Sequence, residues 1–372
     1  MALKFHVLHQ SKKSRARVGK IETAHGVIDT PAFVPVATNG ALKGVVDHSN
    51  IQLMFCNTYH LLLHPGAQVI AAMGGLHKFI NRNAPIITDS GGFQIFSLAY
   101  GSVAEEIKSC GKKKGSSSIL EVTDEGVWFK SYRDGSQFFL SPEVSVQAQK
   151  DLGADIIIPL DELLPFHSNT ADFLSSCART YVWEKRSLDY HKKDPGYQSM
   201  YGVIHGGIDL KQRKIGCEFV EDHPFDGFAI GGSLGRNRNE MVPIVEITTS
   251  YLSKDRPIHL LGIGDLPSIQ ATVSFGIDSF DSSYPTKAAR HGLILSSQGP
   301  IKITNQAYTN DLSPIDPECR CLTCTSKISR AYLRHLFKVH EPNAGIWSSI
   351  HNLHYMQEFM KNIRKQILND TI

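Results

Sequence analysis

Short apolar runs rich in β-branched residues recur along the chain, separated by polar stretches. They read AFVPVAT (32–38), QLMFCNT (52–58), APIITDS (84–90), ADIIIPLDE (154–162), MYGVIHGG (200–207), FDGFAIGG (225–232), PIHLLGIG (257–264) and GIDSFDSS (276–283). Runs of this length bounded by Gly, Pro and Asp predict buried strands. Between several of them the apolar spacing lengthens to a helical period, as in DFLSSCARTYVWEKRSLDYHKK and DLKQRKIGCEFVED. Eight such strands with helical crossovers predict an α/β fold with a parallel sheet closed into a (β/α)₈ TIM barrel; an open, doubly wound sheet is the competing topology. The polar stretch 99–126, with Lys112, Lys113 and Lys114, reads as an insertion after the third strand whose first use is as a surface loop.

The strand ends change the picture. The third run ends in Asp89, the fourth in Asp161 and Glu162, the fifth in His205-Gly-Gly, the sixth in Gly231-Gly232 and the eighth in Asp281. One polar strand end means little, but in a barrel all of these converge on the face where active sites are built. Two carboxylates on neighbouring ends can divide work, one attacking and one moving protons, which is the arrangement used in glycosyl transfer. SGGF (90–93), HGG (205–207) and GGS (231–233) let backbone approach a flat ligand, and Phe93 offers a stacking face.

Composition is ordinary for a globular chain: 372 residues, 41% hydrophobic, 20% charged, net charge +3. No apolar run reaches the roughly 20 residues needed to span a bilayer, and the first residues carry scattered charge without an apolar secretory core, so the expectation is a cytoplasmic protein. From Cys319 onward eight Lys and Arg face three acids, a +5 tail on a slightly acidic body, which suits a polyanion or an ordinary solvated helix face. Cys319, Cys321 and Cys324 form C-x-C-x₂-C, too tight for unrelated core cysteines. Three thiolates need a fourth ligand for a closed structural zinc site, and His335, His340, His351 and His354 follow. These features predict a barrel over 1–310, with an N-terminal hairpin and the 99–126 insertion, and a zinc-binding basic helical subdomain over 311–372.

Taken together, RVGKIET…GVIDTPAFVPVAT, NTYHLLLHPG, ITDSGGFQ, LSPE, ADIIIPLDE, GFAIGG, LLGIG, GIDSFDSSYPT and CRCLTC…HN resemble the tRNA-guanine transglycosylases across essentially the whole chain. These enzymes exchange an anticodon guanine of tRNA for a 7-deazaguanine. The resemblance implies a (β/α)₈ barrel with one structural Zn²⁺, a homodimer and no membrane association. It implies Asp281 as the nucleophile on the ribose and Asp89 as the general acid/base. It places the base against Ser90, Phe93, Asp161, His205, Gly231, Gly232 and Leu261. The anticodon loop falls to Lys287 and Arg290, and the metal to Cys319, Cys321, Cys324 and His351. Three positions depart from the family pattern: Ser282 for Cys, Lys287 for Arg, and His205 for the Gln before Gly-Gly. Lysine loses the bidentate fork, and an imidazole turns only one nitrogen, donor or acceptor, toward a base edge where an amide presents both. Leu163 and Gly235 stand where bacterial members carry Cys and Val, which leans toward queuine as the incoming base. The alternatives are 7-aminomethyl-7-deazaguanine, a noncatalytic tRNA-binding partner subunit, and an unrelated zinc-containing barrel hydrolase. The last would need an open metal site, and a partner subunit would not need both Asp89 and Asp281.

Overall fold

The computed structural model describes residues 3–46, 50–100, 118–164 and 168–372. Its centre is an eight-stranded parallel sheet built from Ala32–Pro35, Met54–Cys56, Ile86–Thr88, Ile156–Ile157, Ser199–Ile204, Gly227–Ile230, Ile258–Leu260 and Ser279–Ser282. We number these first to eighth. They are the eight runs read from the sequence. Each pairs with its neighbours in chain order, the eighth returns to pair with the first, and a parallel bridge from Val36 to Phe55 joins first to second. The result is a barrel and not an open sheet.

Side chains alternate across the strands with period two. Ala32, Val34, Phe55, Ile87, Ile156, Ile158, Tyr201, Val203 and Ala229 face inward as one cluster. The intervening Phe33, Met54, Cys56, Ile86, Ile157, Met200, Phe228 and Phe280 face outward into the layer filled by the helices. Four crossover helices start on capping side chains: Asn169, Asp209, Asn237 and Asp265 each accept backbone N–H groups of the first turn.

The amino end of the barrel is plugged by an antiparallel sheet of Lys4–Gln10, Arg17–Thr23 and Gly26–Thr30, which adds Ile21 and Ile28 to the inner cluster. This is one strand more than the hairpin the sequence predicts. Arg17 grips Asp278, the residue before the eighth strand, through two bonds of 2.9 and 2.5 Å. Of the polar stretch 99–126, residues 101–117 lie outside the described residues. The stretch ends in a strand, Ile119–Val122, of a small sheet completed by Val127–Lys130 and Gln137–Leu140. In VWFK, Val127 and Phe129 are buried while Trp128 and Lys130 are exposed, a half-buried alternation the sequence reading passed over. The long helix Pro342–Leu368 sends Leu353, Met356, Met360, Ile363 and Ile367 into the barrel's outer core. No helix among the described residues is long and apolar enough to cross a membrane.

Candidate active site

Extending the inward-facing rows by two residues from Ile87, Val203, Ala229 and Ser279 reaches Asp89, His205, Gly231 and Asp281. The period of the strand itself aims these groups at the carboxyl-end opening of the barrel. Each carboxylate there has its own setting.

Asp89 is buried beneath donors: Oδ2 accepts Asn57 Nδ2 at 2.5 Å and Gln94 Nε2 at 2.7 Å, and Oδ1 accepts the Thr58 N–H at 2.8 Å. Burial pushes its carboxyl up from 3.8 to about 6, against the opposing pull of those three bonds. Asp161 has one oxygen on Ser90 Oγ at 3.2 Å and the other on His205 Nε2 at 2.8 Å. Its neighbour Glu162 turns away, accepting Arg179 Nη1 at 2.7 Å on the long helix Thr170–Lys192. Only Asp161 of this acidic pair therefore belongs to the opening. Among the described residues Asp281 is held on Oδ1 alone, by the Gly262 N–H at 2.8 Å and His259 Nε2 at 3.0 Å.

The glycine loops owe their shape to close approach. A Cβ on Gly92 would lie 2.6 Å from the Asp161 carbonyl oxygen, and one on Gly231 would lie 2.8 Å from Val203 and 3.3 Å from Leu261. Beneath them the buried Arg213 donates to the carbonyls of Ile204, Gly207, Gly231 and Ser233 at 2.8 to 3.1 Å. One guanidinium thus ties the HGG loop to the GGS loop, and burial lowers its pKa to about 10. Phe93, at the start of the helix Gly92–Tyr100, is 43% exposed and free to stack. Leu163 is half-buried against the apolar cluster that includes Tyr59, Leu160 and Trp183. Gly235 takes φ +104°, with a Cβ position 2.6 Å from Glu240, so local backbone independently demands glycine there.

Sequence reasoning missed Asn57, Gln94, Arg213 and His259. The first two lie within quoted motifs, and His259 has the inward parity of Leu261. Arg213 sits in a polar helix that gave no warning.

Lys287 and Arg290 are exposed on the helix Tyr284–Arg290, which leaves the eighth strand directly. The basic tail is partly internal: Arg330 binds Asp311 and the Ile315 carbonyl, Arg334 the Asn305 carbonyl, and Arg364 the Pro31 carbonyl. Arg320, Lys327, Lys338 and Lys365 are exposed.

The quartet Cys319, Cys321, Cys324 and His351 comes together with all four ligand atoms within 4.8 Å of one another. His335, His340 and His354 are not part of it. A tetrahedral zinc with bonds of about 2.3 Å to S and about 2.05 Å to N sets S···N near ~3.6 Å. His351 Nδ1 lies 3.6, 3.4 and 3.4 Å from the three sulfurs in chain order, so the residues fit such an ion. Its Nε2 donates to the Leu295 carbonyl at 2.6 Å, which leaves the Nδ1 lone pair for the metal. Asn352 beside it bonds Leu295, Pro285 and Leu293, linking the cluster's helix to the segment after the eighth strand.

A second grouping, His25, His77 and Asp155, lies at the opposite end of the barrel. The two imidazoles stack with centroids 3.6 Å apart and 15° between planes. An ion along the lone pair of one ring would fall outside the plane of the other; instead Asp155 meets the ring edges, with Oδ1 2.8 Å from His25 Nδ1 and Oδ2 3.0 Å from His77 Nε2.

Comparison with known proteins agrees with this geometry. The family model described as queuine tRNA-ribosyltransferase matches residues 11–372. Proteins named queuine tRNA-ribosyltransferase from Chlamydia abortus, Chlamydia felis and Chlamydia pneumoniae are 92%, 88% and 77% identical to this chain, each over the full length of both sequences. A barrel with this constellation of carboxylates, a Cys₃His quartet and identity of this extent lead to one conclusion: the chain belongs to the queuine tRNA-ribosyltransferase family, the tRNA-guanine transglycosylases.

Proposed function

We propose that this enzyme exchanges the guanine at the first anticodon position of GUN-anticodon tRNAs for queuine, through a covalent tRNA–aspartate intermediate. The observation that carries the reading is three carboxylates on one barrel rim in three different electrostatic settings. Asp281 has one oxygen restrained and the other unbonded among the described residues, as a nucleophile requires. Asp89, with a pKa near 6, holds or releases a proton close to neutrality. Asp161, already accepting from Ser90 and His205, is suited to accept from the amino edge of a guanine stacked on Phe93.

In this mechanism the Asp281 oxygen bonds to ribose C1′ as the C1′–N9 bond breaks, and its electron pair leaves with guanine. Asp89 gives that base a proton. Guanine departs, queuine yields its N9 proton to Asp89, and N9 takes C1′ back from Asp281. Gly231, Gly232, Leu261 and Ser90 complete the base pocket, and Lys287 and Arg290 contact the anticodon loop. Leu163 gives an aliphatic wall that suits the bulky cyclopentenediol, whereas Gly235 answers first to the Glu240 side chain packed where its Cβ would lie. The Cys₃His quartet would hold a structural zinc, which supplies rigidity and no chemistry because its four positions are filled by protein. A barrel over 1–310, a zinc-bearing segment over 311–372, a homodimer and a cytoplasmic location complete the proposal.

The test is exchange of labelled guanine out of an anticodon stem-loop RNA, with queuine and the aminomethyl base in competition. Preference for the aminomethyl base overturns the choice of queuine. A denaturation-resistant RNA adduct that persists in Asp281→Ala overturns the nucleophile.

A further inference from the structure

His259 lies in the seventh strand, wholly buried inside the barrel, with its ring stacked toward Phe55 at a centroid distance of 6.1 Å. Its Nδ1 is 2.7 Å from Ser279 Oγ and its Nε2 is 3.0 Å from Asp281 Oδ1. A carboxylate only accepts, so Nε2 carries the proton and donates. The Ser279 hydroxyl, on the ring's other side, fixes the orientation. Ser279 and Asp281 are two residues apart on one strand and share its inward face, so the eighth strand brackets the imidazole. The Gly262 N–H meets the same Asp281 oxygen at 2.8 Å.

We propose that His259 is a positioning residue that makes Asp281 a good leaving group in the second half of the exchange. This rests on Asp281 being the nucleophile. With Oδ1 occupied by two donors, Oδ2 is the oxygen that bonds C1′. Once the glycosyl ester has formed, Oδ1 is its carbonyl oxygen, and the two donors already point at it. In the second displacement N9 of the incoming base, its proton passed to Asp89, bonds C1′ while the C1′–Oδ2 bond breaks. The electron pair returns to the carboxylate, and the negative charge shared by Oδ1 forms against donors set before it arrives. That preorganisation is the principle of an oxyanion hole applied to a departing carboxylate. The same donors draw charge toward Oδ1 and away from the attacking Oδ2 in the first displacement, so the gain falls on release of the adduct more than on its formation.

The experiment isolates the adduct of the full chain with an anticodon stem-loop RNA, adds excess guanine and follows adduct decay on denaturing gels. His259→Phe keeps the ring's shape without the donor. It should slow decay about 10- to 100-fold, the size of one hydrogen bond to a charged group, and raise the steady-state adduct fraction, with KM for RNA little changed. His259→Gln, whose amide can donate to Asp281 and accept from Ser279, should recover most of the rate. Should the Phe variant fail to fold, Ser279→Ala removes only the orienting hydroxyl and should slow decay about 3- to 10-fold. Decay at the wild-type rate in His259→Phe, equal decay in the Phe and Gln variants, or an unchanged rate in Ser279→Ala alongside an unfolded Phe variant overturns the proposal. An adduct in Asp281→Ala marks failure of the nucleophile reading instead.

Discussion

Asp89→Asn should abolish exchange and at the same time make the protein more stable at neutral pH. In the folded chain the Asp89 carboxyl titrates at about 6, raised by burial, against about 3.9 in an unfolded chain. Between those values the folded state binds more protons than the unfolded state. The stability tied to this group is therefore intact below about pH 4 and is lost as pH rises through about 6. Above that, roughly two units at 1.36 kcal/mol each make the buried charge cost about 3 kcal/mol. Asparagine carries no charge. Its amide would meet the amino groups of Asn57 and Gln94, so both must turn; the Gln94 Oε1, buried without a partner among the described residues, gains one by turning. That rearrangement takes back on the order of 1 kcal/mol. An unfolding entropy of about 2.1 cal/mol/K per residue over 372 residues converts the remainder to a Tm rise of about 1–4 °C. Thermal melts of the two proteins at pH 7.5 and pH 5 give the answer, with the buried-charge cost roughly halved at pH 5. An Asn variant that melts below wild type at pH 7.5, or a difference independent of pH, refutes the reasoning.

Cys321→Ser should lower bound metal and Tm together, because ligand capture and folding are one equilibrium; metal analysis beside a melt shows it, and an unchanged melt in a metal-free variant contradicts it. Arg17→Met should destabilise by about 3–5 kcal/mol by leaving the buried Asp278 carboxylate without its guanidinium. Asp278→Asn in that background should restore part of the loss, and two purely additive effects in denaturant titrations would exclude the coupling.

The barrel was legible because its signal is repeated eight times: each apolar run has the length of a strand, and five of them end in a carboxylate or a Gly-Gly pair. Asp89 and Asp281 were legible for the same reason, each lying two residues past an inward-facing strand position, Ile87 and Ser279. What escaped detection has physical causes. His259 is flanked by Ile258 and Leu260 and reads as one more buried strand residue, since only the eighth strand's position beside it shows what its nitrogens face. Arg213 reads as a solvated helix cation because nothing local announces that four carbonyls from two loops converge on it. The strands at 127–130 and 137–140 are short and half-exposed, so their alternation is weak. The positive tail overstated its free charge, because several of its arginines serve backbone carbonyls.

The eighth strand spans only Ser279–Ser282, yet it is anchored on both sides. Before it, Asp278 is gripped by Arg17 and accepts the Ile258 N–H; within it, Asp281 meets Gly262 and His259. A slip by one residue would turn the Asp281 carboxylate toward the helices and break both attachments at once. The strand behaves like a cord drawn between two pegs, its register decided by aspartates at either end. The exposed cations on the helix that follows Ser282 can then be exchanged, as Lys287 stands where the family pattern has Arg, without moving the Asp281 carboxylate. The fold thus separates a carboxylate whose place is fixed from both sides from surface cations whose identity the packing leaves open.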